Sequence, residues 1–288
     1  MNCKQFVMRW PEGKPKALTL SYDDGVDTDE RLIRIMEKYG IKGTFNINSD
    51  LYSPEGYVKP ADATDCRLSY NQATKLYKSP VCEVACHALT HDFLDRLPSE
   101  AIIQQTITDR INLEKQFGIQ VRGMAYPFGT YSEKAVECLR LCGIRYCRTT
   151  VQTEGFSLPK NWLTLHSTCH HNNPKLMDLA EQFLEYDKNK ITNPLMFYLW
   201  GHSYEFARDN NWEVIENFCK KLSGKDDIWY ATNIEIYNYQ KAFEQLEYSA
   251  DCSIIHNPTA TNLWLSYGWS LKEPIKIPAG ETVVLEGI

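Results

Sequence analysis

Strand-like and helix-like segments alternate along most of this 288-residue chain, which predicts an α/β fold built on a parallel sheet. Two further observations support that class. The apolar strand-like runs end in polar clusters, and strand ends are where such sheets place their chemistry. The length is also enough to bury a large core as one α/β body, with or without an appendage.

The elements follow in order. Residues 17–22 form a β-prone apolar run. Residues 29–39 read as a helix that turns Leu32, Ile33, Ile35 and Met36 inward and stops at Gly40. A strand over 44–48 comes next. Residues 50–67 hold Pro54, Gly56 and Pro60 with few periodic positions, so they form a long loop beside the strand ends. A short helix over 70–77 precedes a strand over 83–87. Ser99, followed by Glu100 and Ala101, caps the clearest helix, 100–117, which stops at Gly118. Then come a strand over 123–126, a helix over 133–141 with Gly143 as its stop, and strands over 145–148 and 164–168. The pattern continues with a helix at 174–187, a strand at 195–200, a helix at 211–222, a strand at 228–232 and a helix at 234–246. From Ser249 the character changes to short extended runs (252–256, 262–266, 275–277, 283–285) split by Asn-Pro, Tyr-Gly and Pro-Ala-Gly turns. The expected organisation is a body over 1–248 and a β-rich extension over 249–288. So few short strands are marginal alone, so the extension is expected to pack on the body.

Composition narrows the function. The net charge is −6, the isoelectric point is near 5.7, and no basic tract stands out, which argues against a nucleic-acid partner. No apolar run reaches the roughly 18–20 residues of a membrane helix. The first ten residues lack the charged start and apolar run of a secretory signal. Ten cysteines are scattered through a chain too large to need staples, and they read as free thiols in a reducing cytosol. The expected location is cytoplasmic.

Four motifs carry chemistry. Ser21-Tyr22-Asp23-Asp24-Gly25 ends an apolar run in two carboxylates and a glycine that lets the chain turn away, so both can face one cleft. Asp-Asp-Gly is also a common turn sequence. His87-Ala88-Leu89-Thr90-His91 places two imidazoles four residues apart at another strand end, a spacing that suits one metal ion or occurs by coincidence on a surface. One carboxylate with two imidazoles leaves coordination positions open, the arrangement of catalytic sites. Ala125-Tyr126-Pro127-Phe128-Gly129 is suited to presenting a backbone N–H to an oxyanion, and also reads as an ordinary turn. Leu199-Trp200-Gly201-His202 places a histidine between aromatics, a candidate general acid.

In this order and at these intervals, the four motifs resemble the polysaccharide deacetylases of the NodB-homology group, also called carbohydrate esterase family four. The resemblance runs over about residues 15–205, and Gly43-Thr44-Phe45-Asn46-Ile47-Asn48 is similar to the family's second strand. It implies a distorted (β/α) barrel with fewer than eight regular strands, here followed by the short all-β extension. It also implies a divalent metal, zinc first, with cobalt, nickel or iron as alternatives, and hydrolysis of an N- or O-linked acetyl group on a sugar or glycan. Carried over by position, Asp24, His87 and His91 hold the metal, and Asp23 is the base for a metal-activated water. His202 protonates the leaving group, and the Phe128 N–H meets the oxyanion. Among nearby aromatics, Tyr126, Trp200 and Tyr204 are the expected sugar contacts.

Two departures from the family pattern stand out. Ala125 occupies the place of the arginine that begins the third motif, and Arg148 on the next strand is the alternative source of a cation. The Asp-rich fourth motif is missing. Trp162, His166, Cys169, His170 and His171 occupy its region, and the His170-His171 pair either reaches the site or caps the following helix. Two other functions compete: a hydrolase of cyclic imides or related amides on the same barrel, and a carbohydrate-binding protein without catalysis. The intact Asp24, His87 and His91 trio argues against the first, and retention of Asp23 and His202 argues against the second.

Overall fold

The computed structural model describes residues 6–186, 193–267 and 273–285. Position 187, the expected helix end, and Cys3 lie outside the described residues.

The chain opens with β1 (Phe6–Arg9) and β2 (Lys16–Asp23), then α1 (Asp29–Tyr39), β3 (Gly43–Ile47), α2 (Tyr70–Leu76) and β4 (Cys82–Cys86). It continues through α3 (Ser99–Phe117), β5 (Gly123–Ala125), α4 (Glu133–Leu141), β6 (Tyr146–Gln152), β7 (Leu165–Ser167), β8 (Cys169–His170), α5 (Leu176–Glu185) and β9 (Leu195–Gly201). It closes with α6 (Ser203–Arg208), α7 (Glu213–Leu222), β10 (Ile228–Tyr230), α8 (Asn233–Phe243), β11 (Glu247–Tyr248), β12 (Ile254–His256), β13 (Leu263–Tyr267), β14 (Ile275–Ile277) and β15 (Thr282–Val284).

The α/β alternation is as expected, and the central sheet is parallel throughout, in the order β7-β6-β5-β4-β3-β2-β9-β8 with β10 also on β2. One edge of β2 is shared, with β10 beside Lys16–Leu18 and β3 beside Leu20–Asp23. Only Thr168 separates β7 from β8. β7 pairs with β6 and β8 pairs with β9, so the two ends of the strand order are consecutive in the chain, with no pairing between them among the described residues. That arrangement directs the C-terminal ends of β2, β4, β5 and β9 toward a common mouth.

Local chemistry explains the helix ends. Gly40 and Gly118 close α1 and α3 in the left-handed conformation that glycine adopts without penalty. Thr232 and Glu235 form a reciprocal capping box at the start of α8. Ser99 does not cap α3: it is the first helical residue, and Pro98 holds the cap position without a side-chain bond. Pro98 has the non-helical ψ of a cap residue (φ −67°, ψ 158°), so the boundary forms one residue earlier than expected.

Two apolar clusters divide the interior. The larger joins α1, α3, α4, α5 and α7 to the sheet through residues such as Leu20, Leu32, Met36, Val84, Leu113, Met124, Leu139 and Phe197. The second gathers Ala17, Tyr146, Leu165 and Met196, at or near the starts of their strands, with Ile236, Tyr239, Ile255, Leu263 and Leu265. The C-terminal strands thus pack on the sheet's far end from Asp23. β13 also pairs antiparallel with β1, Phe6 opposite Tyr267. Nothing local in a four-residue strand announces a partner so far along the chain.

Candidate metal centre and its surroundings

The end of β2 sets the centre. Asp23, the last strand residue, is 2 % exposed. One carboxylate oxygen accepts from Asn46 Nδ2 at 2.8 Å and the other from the Arg148 guanidinium. Burial pushes this carboxyl up, but Arg148, His87 and His202 outweigh that cost and bring it down to about 2. Asp23 is therefore ionised at neutral pH. Arg148 is itself buried and lies over the Trp200 ring at 4.1 Å. The cation that the third motif lacks at Ala125 thus comes from β6, one strand over.

Asp24 leaves the strand with φ +85°, a left-handed conformation uncommon outside glycine. This turn brings the Asp24 carboxylate to the same mouth as Asp23. Asp24 Oδ1 lies 3.7 Å from His91 Nε2 and 4.0 Å from His87 Nε2. One donor atom from each of Asp24, His87 and His91 lies within 4.8 Å of the others. His87 Nδ1 is 2.9 Å from the Ala125 carbonyl, which accepts the ring N–H and leaves the Nε2 lone pair facing the centre. Burial lowers the His87 pKa to about 4 and lowers that of His91 as well, so both rings are neutral. Neutral imidazoles with one nitrogen tied back and one free, beside a carboxylate, fit a divalent ion.

His202 closes the mouth from β9. Its Nε2 is 3.8 Å from Asp23 Oδ2 and 3.8 Å from Asp24 Oδ2, and its Nδ1 is 3.6 Å from Glu205 Oε2. Burial opposes its protonation, yet Glu205, Asp23 and Asp24 together raise its pKa. Glu205 was missed in the sequence. Its Oε2 also lies 3.0 Å from His171 Nε2 and 3.2 Å from His170 Nε2. Burial pushes the Glu205 carboxyl up, and the three imidazoles more than reverse this, holding it far below the usual range. His170, His171 and Glu205 also have metal-compatible spacing. However, His170 Nδ1 accepts the Asn172 N–H at 3.1 Å, so its proton sits on Nε2 and faces Glu205 as a donor. His170 and His171 therefore reach the site's edge through this carboxylate.

The predicted aromatics divide. Tyr204 is partly exposed and lies 5.1 Å from His202, ring to ring. Trp200 is 7 % exposed and forms a floor beneath Arg148 and beside His170. Tyr126 is not brought to the mouth: its ring is 1 % exposed and its hydroxyl donates to the Leu163 carbonyl at 2.9 Å. Its position inside β5's trailing turn points it into the core, where a phenol needs such a partner. Phe128 stands at the rim with φ +58°, 49 % exposed, stacked on Phe93 at 3.7 Å and edge-on to His91 at 4.5 Å.

A buried acid supports this end from below. Asp29, at the start of α1, is fully buried and accepts from Tyr77 Oη at 2.5 Å and from Ser203 Oγ, the residue after His202. Burial is the main cause that raises its carboxyl to about 7. The unfolded value is about 4, so the native state holds an extra proton between about pH 4 and 7, and its stability falls as pH rises through that window. Asp29→Asn is expected to abolish this component, worth up to about 4 kcal/mol. Urea unfolding of both proteins at pH 4 and pH 8 checks it. A pH-independent difference between them means that Asp29 does not titrate in folding.

The polysaccharide deacetylase family model matches residues 11–147. Over that stretch the resemblance to the polysaccharide deacetylases is shown. No curated protein matches the chain. Among solved structures, a Mycobacterium smegmatis protein described as a polysaccharide deacetylase shares 15 % identity at a TM-score of 0.57, covering 83 % of this chain and 94 % of that one. At that identity the likeness shows the α/β fold. The Streptococcus pyogenes deacetylase PplD, solved with acetate, shares 20 % identity at a TM-score of 0.44 over 51 % of this chain and 61 % of that one. The Bacillus cereus polysaccharide deacetylase BC0361 shares 22 % identity at 0.42, over 51 % of this chain and 44 % of that one. The match thus spans less than two thirds of either of these two proteins.

Proposed function

We propose that this chain is a divalent-metal-dependent hydrolase that removes an N- or O-linked acetyl group from a carbohydrate. One observation carries the reading: the donor atoms of Asp24, His87 and His91 converge within 4.8 Å, with Asp23 and His202 directed at the same space. Asp24, His87 and His91 would hold the ion, zinc first, with cobalt, nickel or iron as alternatives. When bound, the ion supplies a water acidic enough to attack at neutral pH and a positive charge for the carbonyl oxygen.

The chain's own residues do the rest. Asp23, kept ionised by Arg148 and Asn46, accepts a proton from the attacking water. The hydroxyl adds to the acetyl carbon, and the Phe128 N–H is the proposed donor to the oxygen that gains charge. His202, whose raised pKa favours the protonated ring, delivers a proton to the departing amine or alkoxide. The C–N or C–O bond then breaks to release acetate and the free sugar amine or hydroxyl. Tyr204 and Phe128, open to solvent at the rim, are the aromatic surfaces best placed for a sugar ring. Residues 249–288 form an extension of this body, supported by their packing on the strand starts and by the pairing of β13 with β1. All nine described cysteines are free, which favours a reducing compartment. Among the described residues no helix is long and apolar enough to cross a membrane.

The test measures bound metal in the purified protein and acetate release from a panel of acetylated sugars, with and without a chelator. Near-stoichiometric metal with chelator-sensitive acetate release is expected, and His87→Ala is expected to lose both. A protein that takes up no metal on reconstitution overturns the reading.

A further inference from the structure

The proposed ligands sit on backbone that does not hold itself. Asp24, Ala88 and His91 all have positive φ, at +85°, +60° and +59°. Left-handed non-glycine residues persist only where the surroundings over-determine them. Two of the three carry proposed ligands, and Ala88 lies in the turn between the histidines. Something must hold two separate segments, the end of β2 and the turn after β4, at a set distance.

The sheet bonds from Asp24 N–H to the Asn46 carbonyl and from His87 N–H to the Ile47 carbonyl, each 3.0 Å, tie both segments to β3. Past the strand ends, the side-chain bonds between them converge on one guanidinium. Arg67 Nη1 donates to the Asp24 carbonyl and, at 2.9 Å, to Asn48 Oδ1. Arg67 Nη2 donates to Asp24 Oδ1 at 2.8 Å. Asn48 in turn donates from Nδ2 to the carbonyls of His87 and, at 2.7 Å, Ala88. One planar fork therefore grips the Asp24 carboxylate and main chain, and through buried Asn48 it grips the histidine turn. Arg67 is itself fixed: its residue bridges to Val26, Asp27 N–H bonds to the Cys66 carbonyl at 2.8 Å, and Leu68 N–H to the Gly25 carbonyl at 3.0 Å.

We infer that Arg67, acting through Asn48, is a positioning residue that presets the Asp24, His87 and His91 geometry for metal. The inference rests on the proposed metal-dependent function. It has one physical rival: a guanidinium beside an uncompensated carboxylate can be a simple stand-in for a cation, which a bound ion then makes redundant. The two differ in what they require of Arg67. A stand-in needs only positive charge, whereas a brace needs the two-pronged donor geometry that lysine lacks.

The test titrates zinc into metal-free wild-type protein, Arg67→Lys and Arg67→Met by calorimetry, with thermal unfolding of each apo protein as the control for folding. The brace predicts that both variants remain folded and bind zinc about 10- to 100-fold more weakly, with lysine failing to rescue. Arg67→Lys within about twofold of wild type, or Arg67→Met binding more tightly, overturns the brace and leaves the metal site standing. Wild-type protein that binds neither zinc nor cobalt, nickel or iron overturns the brace together with the proposed function.

Discussion

Asp23→Asn is expected to lower acetate release by about three orders of magnitude while leaving the metal content of the purified protein unchanged. The amide is the same size and still sits beside Arg148 and Asn46, but it cannot accept a proton from water. Its place in the core is held by the Asn46 contact at 2.8 Å and by the strand backbone. The proposed ligand Asp24 points by a different route, through its own left-handed turn. Turnover and metal content should therefore separate. Steady-state kinetics on the best substrate of the panel, with elemental analysis of the same sample, make the comparison. Turnover retained within tenfold of wild type rules Asp23 out as the base.

Arg148→Met is expected to cost about 3–5 kcal/mol of stability at pH 7, because it strands a buried carboxylate. Both partners are nearly inaccessible, with 1 % of the Arg148 and 3 % of the Asp23 side chain exposed, so water cannot replace the lost cation. The sign with pH follows from Asp23, whose native carboxyl lies at about 2, below the unfolded value of about 4. A depressed carboxyl contributes stability that is complete above about pH 4 and disappears as pH falls toward 2. The deficit of the variant should thus be full at pH 7 and smaller at pH 3. Denaturant unfolding at the two pH values measures it. An equal deficit at both assigns the loss to the packing of Arg148 against Trp200 instead of to the ion pair.

The local parts of this architecture were legible in the sequence because their causes are local. Helix α1 was readable from Leu32, Ile33, Ile35 and Met36 on one face and from Gly40 as its stop, and the structure begins and ends it at the same residues. Strand β9 was readable as an apolar run, and the loop over 50–67 from its prolines and missing periodicity. Where a neighbour decides the outcome, the reading moved. β6 runs on to Gln152, four residues past its expected end, because β7 pairs with it there. β1 went unread because its partner, β13, comes more than 250 residues later.

The same division holds at the candidate site. Asp23, Asp24, His87, His91 and His202 were found from motif spacing, since each pair of motif residues shares one strand end. Of the residues that hold them, Arg148 was named as an alternative cation, and Arg67 and Glu205 were not. Arg67 belongs to a loop and Arg148 to another strand, and no spacing in the chain marks either as a partner of Asp24 or Asp23. Glu205, by contrast, stands three residues after His202 at the start of a short helix and carried that spacing as its one signal. Tyr126 shows the converse: beside a motif in sequence, it faces the core because the turn after β5 directs it inward.

The sequence by itself determined the α/β alternation, the strand ends that hold the candidate site residues and the kinds of donor available there. Only the tertiary structure decided which cation pairs with Asp23, which carboxylate faces His202 and which aromatics meet solvent. Periodicity and turn chemistry act over a few residues and are written in the order of the chain. Ion pairing and burial depend on distance in space: the pairing of β2 with β9 sets residue 202 near 23, the bridge of Val26 to Arg67 sets residue 67 beside 24, and the run of the sheet from β2 to β6 brings residue 148 in from another strand.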